Sequence, residues 1–217
     1  MSEVLKGRNV KVEIASTFAA AKVISAITQA DPGVATSTAH GLANGTVGYL
    51  SGVEGMVQLE GQAARVANQV TNAFDLVGIN TTNFSAFSGS TDFITATAWL
   101  TVSESTSYQI NGGAAEKLDT TTLIDVVKKE ENGLLAAQSV DIGVIAMTSL
   151  SAAMAKIESA AQAGTKLLWR ITLNDGAQRV FYGEPSLPGE NVQKGQVGTG
   201  SLNVSVKGYV LKLAAVS

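Results

Sequence analysis

The apolar positions of this chain leave a period of two for one stretch, near its C-terminal third, and the rest of the sequence is read around that stretch. Over 148–164, Leu150, Ala153, Met154, Ile157 and Ala161 recur at three- and four-residue spacing, with Lys156, Glu158, Ser159 and Gln162 between them. That stripe predicts an amphipathic helix. Thr148 or Ser149 offers a hydroxyl N-cap, and Gly164 suits the left-handed residue that closes a helix. From Lys166 the period becomes two. Leu167, Trp169, Ile171 and Leu173 point one way, and Lys166, Leu168, Arg170 and Thr172 the other, which predicts a strand.

Nearly every other patterned stretch also alternates. Val10, Val12 and Ile14 against Lys11 and Glu13 predict a first strand, and Ala21–Thr28 a second, ended by the turn Asp31-Pro32-Gly33. Residues 1–8 read as a polar arm, mobile or ordered only by a neighbour. Between about 31 and 94 the texture changes to short strands (Val34–Thr38, Thr46–Ser51, Ala63–Gln69, Ala73–Val77) separated by Gly and Asn turns. This predicts a small all-β domain inserted into the main one. Phe93–Val102 resumes the frame. Thr120–Lys129 and Leu134–Ala146 read as two strands joined by the charged tip Lys128–Gly133. Asn174-Asp175-Gly176 predicts a hairpin into Gln178–Glu184, and Gly198–Leu213 a long last strand. On that strand Leu202, Val204 and Val206 oppose Ser201, Asn203, Ser205 and Lys207. The fold class is therefore mainly β: a sandwich or barrel domain with one flanking helix (1–30 and 95–217) plus the inserted domain (31–94).

Composition narrows the chemistry. The 217 residues suffice for a sizeable core, and 45% are apolar, but only 15% are charged, against roughly 25% in an average soluble domain. A surface so poor in charge fits one covered by neighbouring subunits. The net charge of −3 and the absence of Lys/Arg clusters argue against a phosphate grip, because counterion release needs several cations together. There is no cysteine, so thiolate metal sites and disulfides are excluded. No stretch reaches the ~18–20 apolar residues of a membrane helix, and Phe18–Ile27, interrupted by Lys22, lacks the cleavage site of an export signal. His40 is the single histidine. It lies in the turn Ala39-His40-Gly41-Leu42 and reads as structural rather than catalytic, and with one histidine neither a histidine metal triad nor a Ser–His relay with a second histidine can be built. Gly195–Gly200 lacks the lysine and following helix of a phosphate cradle. Trp99 and Trp169 fall on strand faces and read as core. The expectation is no enzyme, no cofactor and no metal.

Two sets of residues carry a resemblance. Ala39-His40-Gly41-Leu42, Asn44-Gly45, Gly52-Val53-Glu54-Gly55-Met56 and Leu59-Glu60-Gly61, within Ser37–Phe84, resemble a small β-barrel module of ubiquitin-activating enzymes that recurs as an add-on in tailed-phage structural proteins. The flanking order of strands, long hairpin, one helix and long final strand is similar to the tail tube proteins of long flexible-tailed phages. That resemblance implies a virion protein assembled in the bacterial host cytoplasm. Its hexameric rings would stack on themselves into a hollow tube, in company with tape-measure and tail-tip proteins. DNA would pass through without specific binding, and no membrane would be involved. On this reading Ser139, Asp141, Ser201, Asn203 and Ser205 are candidates to face the bore, and Lys128, Lys129, Glu130 and Glu131 to touch the next ring. The alternative is a virion-surface module that binds carbohydrate or a receptor through 31–94. Tyr49, Phe74, Phe84, Phe87 and Phe93 are the aromatics available for it.

Overall fold

The computed structural model describes residues 9–216, so the expectation for the first eight residues lies outside it. The chain begins with β1 (Lys11–Phe18), β2 (Lys22–Ile24) and β3 (Ala26–Ile27). Next come β4 (Gly33–Thr36), β5 (Val47–Ser51), β6 (Ala63–Val70), β7 (Ala73–Val77) and the long β8 (Thr91–Thr101). Then follow β9 (Ser105–Asn111), β10 (Ala115–Asp119), β11 (Glu130–Leu135) and β12 (Ser139–Ile145). After the helix α1 (Ala152–Ala163) the chain closes with β13 (Leu167–Thr172), β14 (Gln178–Pro185), β15 (Gly189–Asn191) and β16 (Thr199–Leu213). The protein is mainly β with one helix.

One antiparallel sheet runs in the order β3-β4-β7-β6-β5-β8-β1-β13-β14-β16-β12-β9, with β2 added on β8 and β15 on β16. Its two halves bury different sides. Around α1, Val12, Ile14, Val140, Ile142, Trp169, Ile171, Phe181, Leu202 and Val204 pack with Ala153, Met154, Ile157 and Ala160. On the other side Leu50, Met56, Leu59, Phe74, Leu76 and Phe93 form a second core with Leu168, Val180, Leu211 and Leu213. Strand β13 serves both, which is why Leu167, Leu168 and Trp169 are all buried where alternation predicted one apolar face. β16 also serves both. Leu202, Val204, Val206 and Val210 belong to the helix-side core and Leu211 and Leu213 to the other, so even-numbered positions keep one side throughout and the last odd-numbered ones become covered. Gly208 sits at φ 76°, and the register with β14 slips there, from Tyr182 opposite Lys207 to Val180 opposite Leu211. The two extra residues of this bulge leave the alternation in phase.

Two local expectations are corrected. The helix starts later than predicted: Ser151, not Thr148 or Ser149, is the N-cap, its hydroxyl accepting from the Met154 N–H at 3.2 Å. Leu150 is left before the first turn and half exposed, at 51%. Gly164 closes the helix with φ 62°, as its position suggested. The second correction concerns Thr120–Lys129, which is no strand. β10 and β11 pair with each other, and 120–129 forms the loop at their end. Its side chains compete with strand pairing: the Thr121 N–H donates to Asp119 Oδ1 at 2.9 Å, and the Thr122 N–H and hydroxyl to Asp125 Oδ2 at 2.9 and 2.8 Å. β-branched residues normally favour strands, but three threonines between two aspartates supply local acceptors that outbid the ladder.

Candidate assembly surfaces

Two surfaces stand out: a polar wall on one face of the sheet, and an arm built from β10, β11 and their loop. The wall follows from strand register. Ser139 lies opposite Ser205, Asp141 opposite Asn203 and Gly143 opposite Ser201. On the other side of β12 the same three positions pair with Asn111, Gln109 and Ser107 of β9. Because β side chains alternate, burying Val140, Ile142 and Val144 against the helix turns this whole row outward. All five bore-facing candidates thus share one face, and β9 contributes three polar positions that periodicity alone did not single out. Ser105–Asn111 has too little apolar contrast to declare its two sides.

The wall is nearly all hydroxyl and amide. Asp141 is its one carboxylate across these nine positions, and it is held from both sides. Asn111 Nδ2 donates to Asp141 Oδ2 and Asn203 Nδ2 to Asp141 Oδ1, each at 2.6 Å. Asn111 also donates to Ser139 Oγ at 3.2 Å and receives Gln109 Nε2 at 2.8 Å. The Asn203 and Asn111 amides favour the charged carboxylate and hold its pKa below the usual carboxylate range. Lys207 continues the same alternation on β16, but its aliphatic stem lies over Gly61, which draws the cation away from the row.

The arm is exposed almost throughout. Of the four inter-ring candidates, Glu130 and Glu131 lie on β11, and Lys128 and Lys129 enter it from the loop. Lys128 pairs with Glu130 at 2.6 Å, and Lys129 pairs with Asp125. The outermost residues are ones the sequence reading placed inside a strand. Leu123, Ile124 and Val126 are 107%, 91% and 99% exposed, with Val127 close behind. An apolar run flanked by threonines and closed by an aspartate was the available signal for a tip.

The remaining candidates are accounted for by packing. His40 is buried, its Nε2–H directed at the Val70 carbonyl at 2.7 Å while Nδ1 accepts from the Leu42 N–H at 3.0 Å. Trp169 is buried and stacked with Phe181, and the Arg170 guanidinium lies 4.1 Å over Trp99 while bonding Glu13 at 2.9 Å. Phe74 and Phe93 are buried, and Tyr49, Phe84 and Phe87 pack against the same core, so the five aromatics make no exposed platform. A cleft of about 650 Å³ opens between β1, β9, β14 and β16, lined by Val12, Tyr108, Ile110, Arg179 and Lys212 among others. Among the described residues there is no group of three or more His, Asp or Glu placed to hold a metal. No helix there is long and apolar enough to cross a membrane.

The described surface thus combines a polar wall with a single carboxylate and an arm that exposes apolar side chains. The family model described as phage tail tube protein, TTP, matches residues 54–215, and the chain belongs to that family, a class of virion structural proteins and not a class of enzymes. No curated protein matches it.

Proposed function

We propose that this tail tube protein forms hexameric rings that stack into the hollow tail of a long flexible-tailed phage, and that the row Ser139, Asp141, Ser201, Asn203, Ser205 lines the bore. The polar wall carries this reading. DNA moving through a tube must be hydrated but not held. A lining of lysines or arginines would bind successive phosphates through counterion release; hydroxyls and amides around one clamped carboxylate would not. Among the described residues no strand pairs with the outer edge of β9, and pairing it with a neighbour in the ring would satisfy its backbone groups. The arm, with Lys128, Lys129, Glu130 and Glu131 along its flank, then reaches the adjacent ring. On this reading 31–94 is an inserted decoration similar to the small β-barrel module of ubiquitin-activating enzymes, and 1–30 with 95–217 is the tube domain. Tape-measure and tail-tip proteins are the expected companions, and assembly takes place in the host cytoplasm.

The test is negative-stain electron microscopy of the purified protein after concentration. Hollow tubes with a regular axial repeat are expected. Chains that stay monomeric by sedimentation, and fail to extend preformed tail tips, would overturn the proposal.

A further inference from the structure

The apolar tip of the arm has a counterpart at the far end of the same strands. Asn111, which leads into the arm, pairs with Ser139, whereas Ser105, at the start of β9, pairs with Val144. The arm therefore leaves one end of the β9–β12 pair. At the other end a groove of about 80 Å³ lies between the end of β12, the residues before α1 and the β15 strand. The seven residues of β12 separate the two ends by about 20 Å at the usual strand rise, so no chain reaches its own groove with its own tip.

The groove is apolar with an acidic rim. Leu150 and Met147, 51% and 58% exposed, flank it above the buried Met154. Leu150 belongs to the helical stripe in sequence, yet the Ser151 cap leaves it outside the helix. Glu104, Glu158 and Glu190 line the same groove, and none of them is ion-paired among the described residues. The tip carries the complement, four exposed aliphatic side chains followed at once by Lys128 and Lys129. Lys128 is held only by the exposed Glu130 of its own chain, and such pairs contribute little, so exchanging it for a glutamate of a neighbour costs little; Lys129 stays on the part-buried Asp125. The tip is also ordered before it docks, by the Thr120 N–H to Lys129 carbonyl bond at 3.0 Å and the bonds to Asp125.

We infer that the arm tip, Leu123–Val127, seats in the Met147–Leu150 groove of a second copy placed end to end. A donor at one end and an acceptor at the other make a heterologous contact that does not close, so it propagates along an axis. The area per copy is small. Repetition around a ring supplies the strength by multivalency, which keeps the single chain free to stay apart until a ring exists. This inference rests on the tube reading, and names the surface that receives the arm.

The chain contains no cysteine, which makes a clean cross-linking test available. Val126→Cys and Leu150→Cys chains are mixed, assembled and oxidised, with Val126→Cys plus Val23→Cys as the control on a distant exposed strand. A disulfide forms only where Cα atoms come within about 7 Å. The expected result is a linked dimer in the first mixture and none in the control. Tubes that form normally while the two mixtures link equally little would overturn the inference and leave the tube reading standing. No assembly of the unaltered chain would overturn both. In a second arm, Lys128→Glu raises the concentration needed for assembly by about tenfold or more, the change for which a loss of about 1.4 kcal/mol suffices. Glu158→Lys with Glu190→Lys restores it. Absence of rescue would overturn the charge pairing between tip and groove.

Discussion

The seam between strands β5–β7 and strand β16, and the arm at β10–β11, treat polar and apolar groups in opposite ways. At the seam polar side chains are buried and fully engaged. Gln62 Nε2 donates to the Tyr209 carbonyl at 3.1 Å, while its Oε1 accepts the Tyr209 N–H at 3.0 Å. Gln62 thus pairs with β16 at the Gly208 bulge as a neighbouring strand would. Arg65, also buried, donates to the Ala214 carbonyl at 2.7 Å and to Gln178 Oε1 at 3.3 Å, and its pKa is lowered by loss of solvent. In the arm the same chain leaves leucine, isoleucine and valine in water. A seam whose every buried donor has an acceptor needs nothing further. An arm whose largest apolar side chains have no cover is complete only against something else.

The sharpest way to break this comparison is to damage the 31–94 side and watch the other core. Phe74→Ala removes a fully buried ring that contacts His40 and Phe93 at 5.1 and 5.4 Å between centroids, at an expected cost of about 4 kcal/mol. Because that core includes Leu168, Val180, Leu211 and Leu213, the loss should reach Trp169, which lies in the helix-side core. In a Trp99→Phe background, where Trp169 is the one tryptophan left, denaturant unfolding followed by Trp fluorescence should shift as one transition. A Trp signal that stays put while far-UV dichroism shows an earlier loss would mean that the two cores are energetically separate. Next in size is Gln62→Ala. It leaves the Tyr209 N–H and carbonyl without their partner, for about 2 kcal/mol. The exposed Gln109→Ala on the wall is the matched comparison, with a midpoint shift near zero.

The parts of this architecture visible in the sequence are those set by a single period. Val140, Ile142 and Val144 against Ser139 and Asp141, or Leu202 and Val204 against Ser201 and Asn203, declare their faces by alternation, and the wall follows once register aligns them. The Asn174-Asp175-Gly176 hairpin is legible because its chemistry is local, with the Gly176 N–H bonded to the Leu173 carbonyl at 3.0 Å. What stayed hidden depends on partners distant in sequence. Nothing near Leu211 shows that the outward side of this strand becomes covered beyond Gly208, or that Gln62, 147 residues from Tyr209, bonds it at the bulge. The tip failed for a different reason. Thr120–Val127 has strong strand propensity, and the two aspartates that override it act through hydrogen bonds whose geometry no period encodes. The Met147–Leu150 groove exists only because the helix begins one cap later than the stripe suggests.

The smallest expected effect lies in the arm and is read by pH. Asp125 is held below the ordinary carboxylate range by Lys129 first, then by the Thr122 N–H and hydroxyl. A carboxyl group whose folded pKa is lowered stabilises its surroundings above the unfolded value, about 3.9. That contribution is lost as pH falls through the lower folded value. The tip should therefore loosen only in acid below about pH 4, without a change in the Trp169 signal over the same step, because the arm is outside both cores. Arg65 at the seam stays charged throughout that window and adds no such step. The Thr122 amide proton shift is the direct probe. It should titrate with a midpoint below the ordinary carboxylate value, and in Asp125→Asn that titration should vanish. A midpoint at or above the ordinary value would show that the carboxylate is not held against Thr122 and Lys129 in solution. The tip would then be a loose loop, and the contrast with the seam would be one of order as well as of burial.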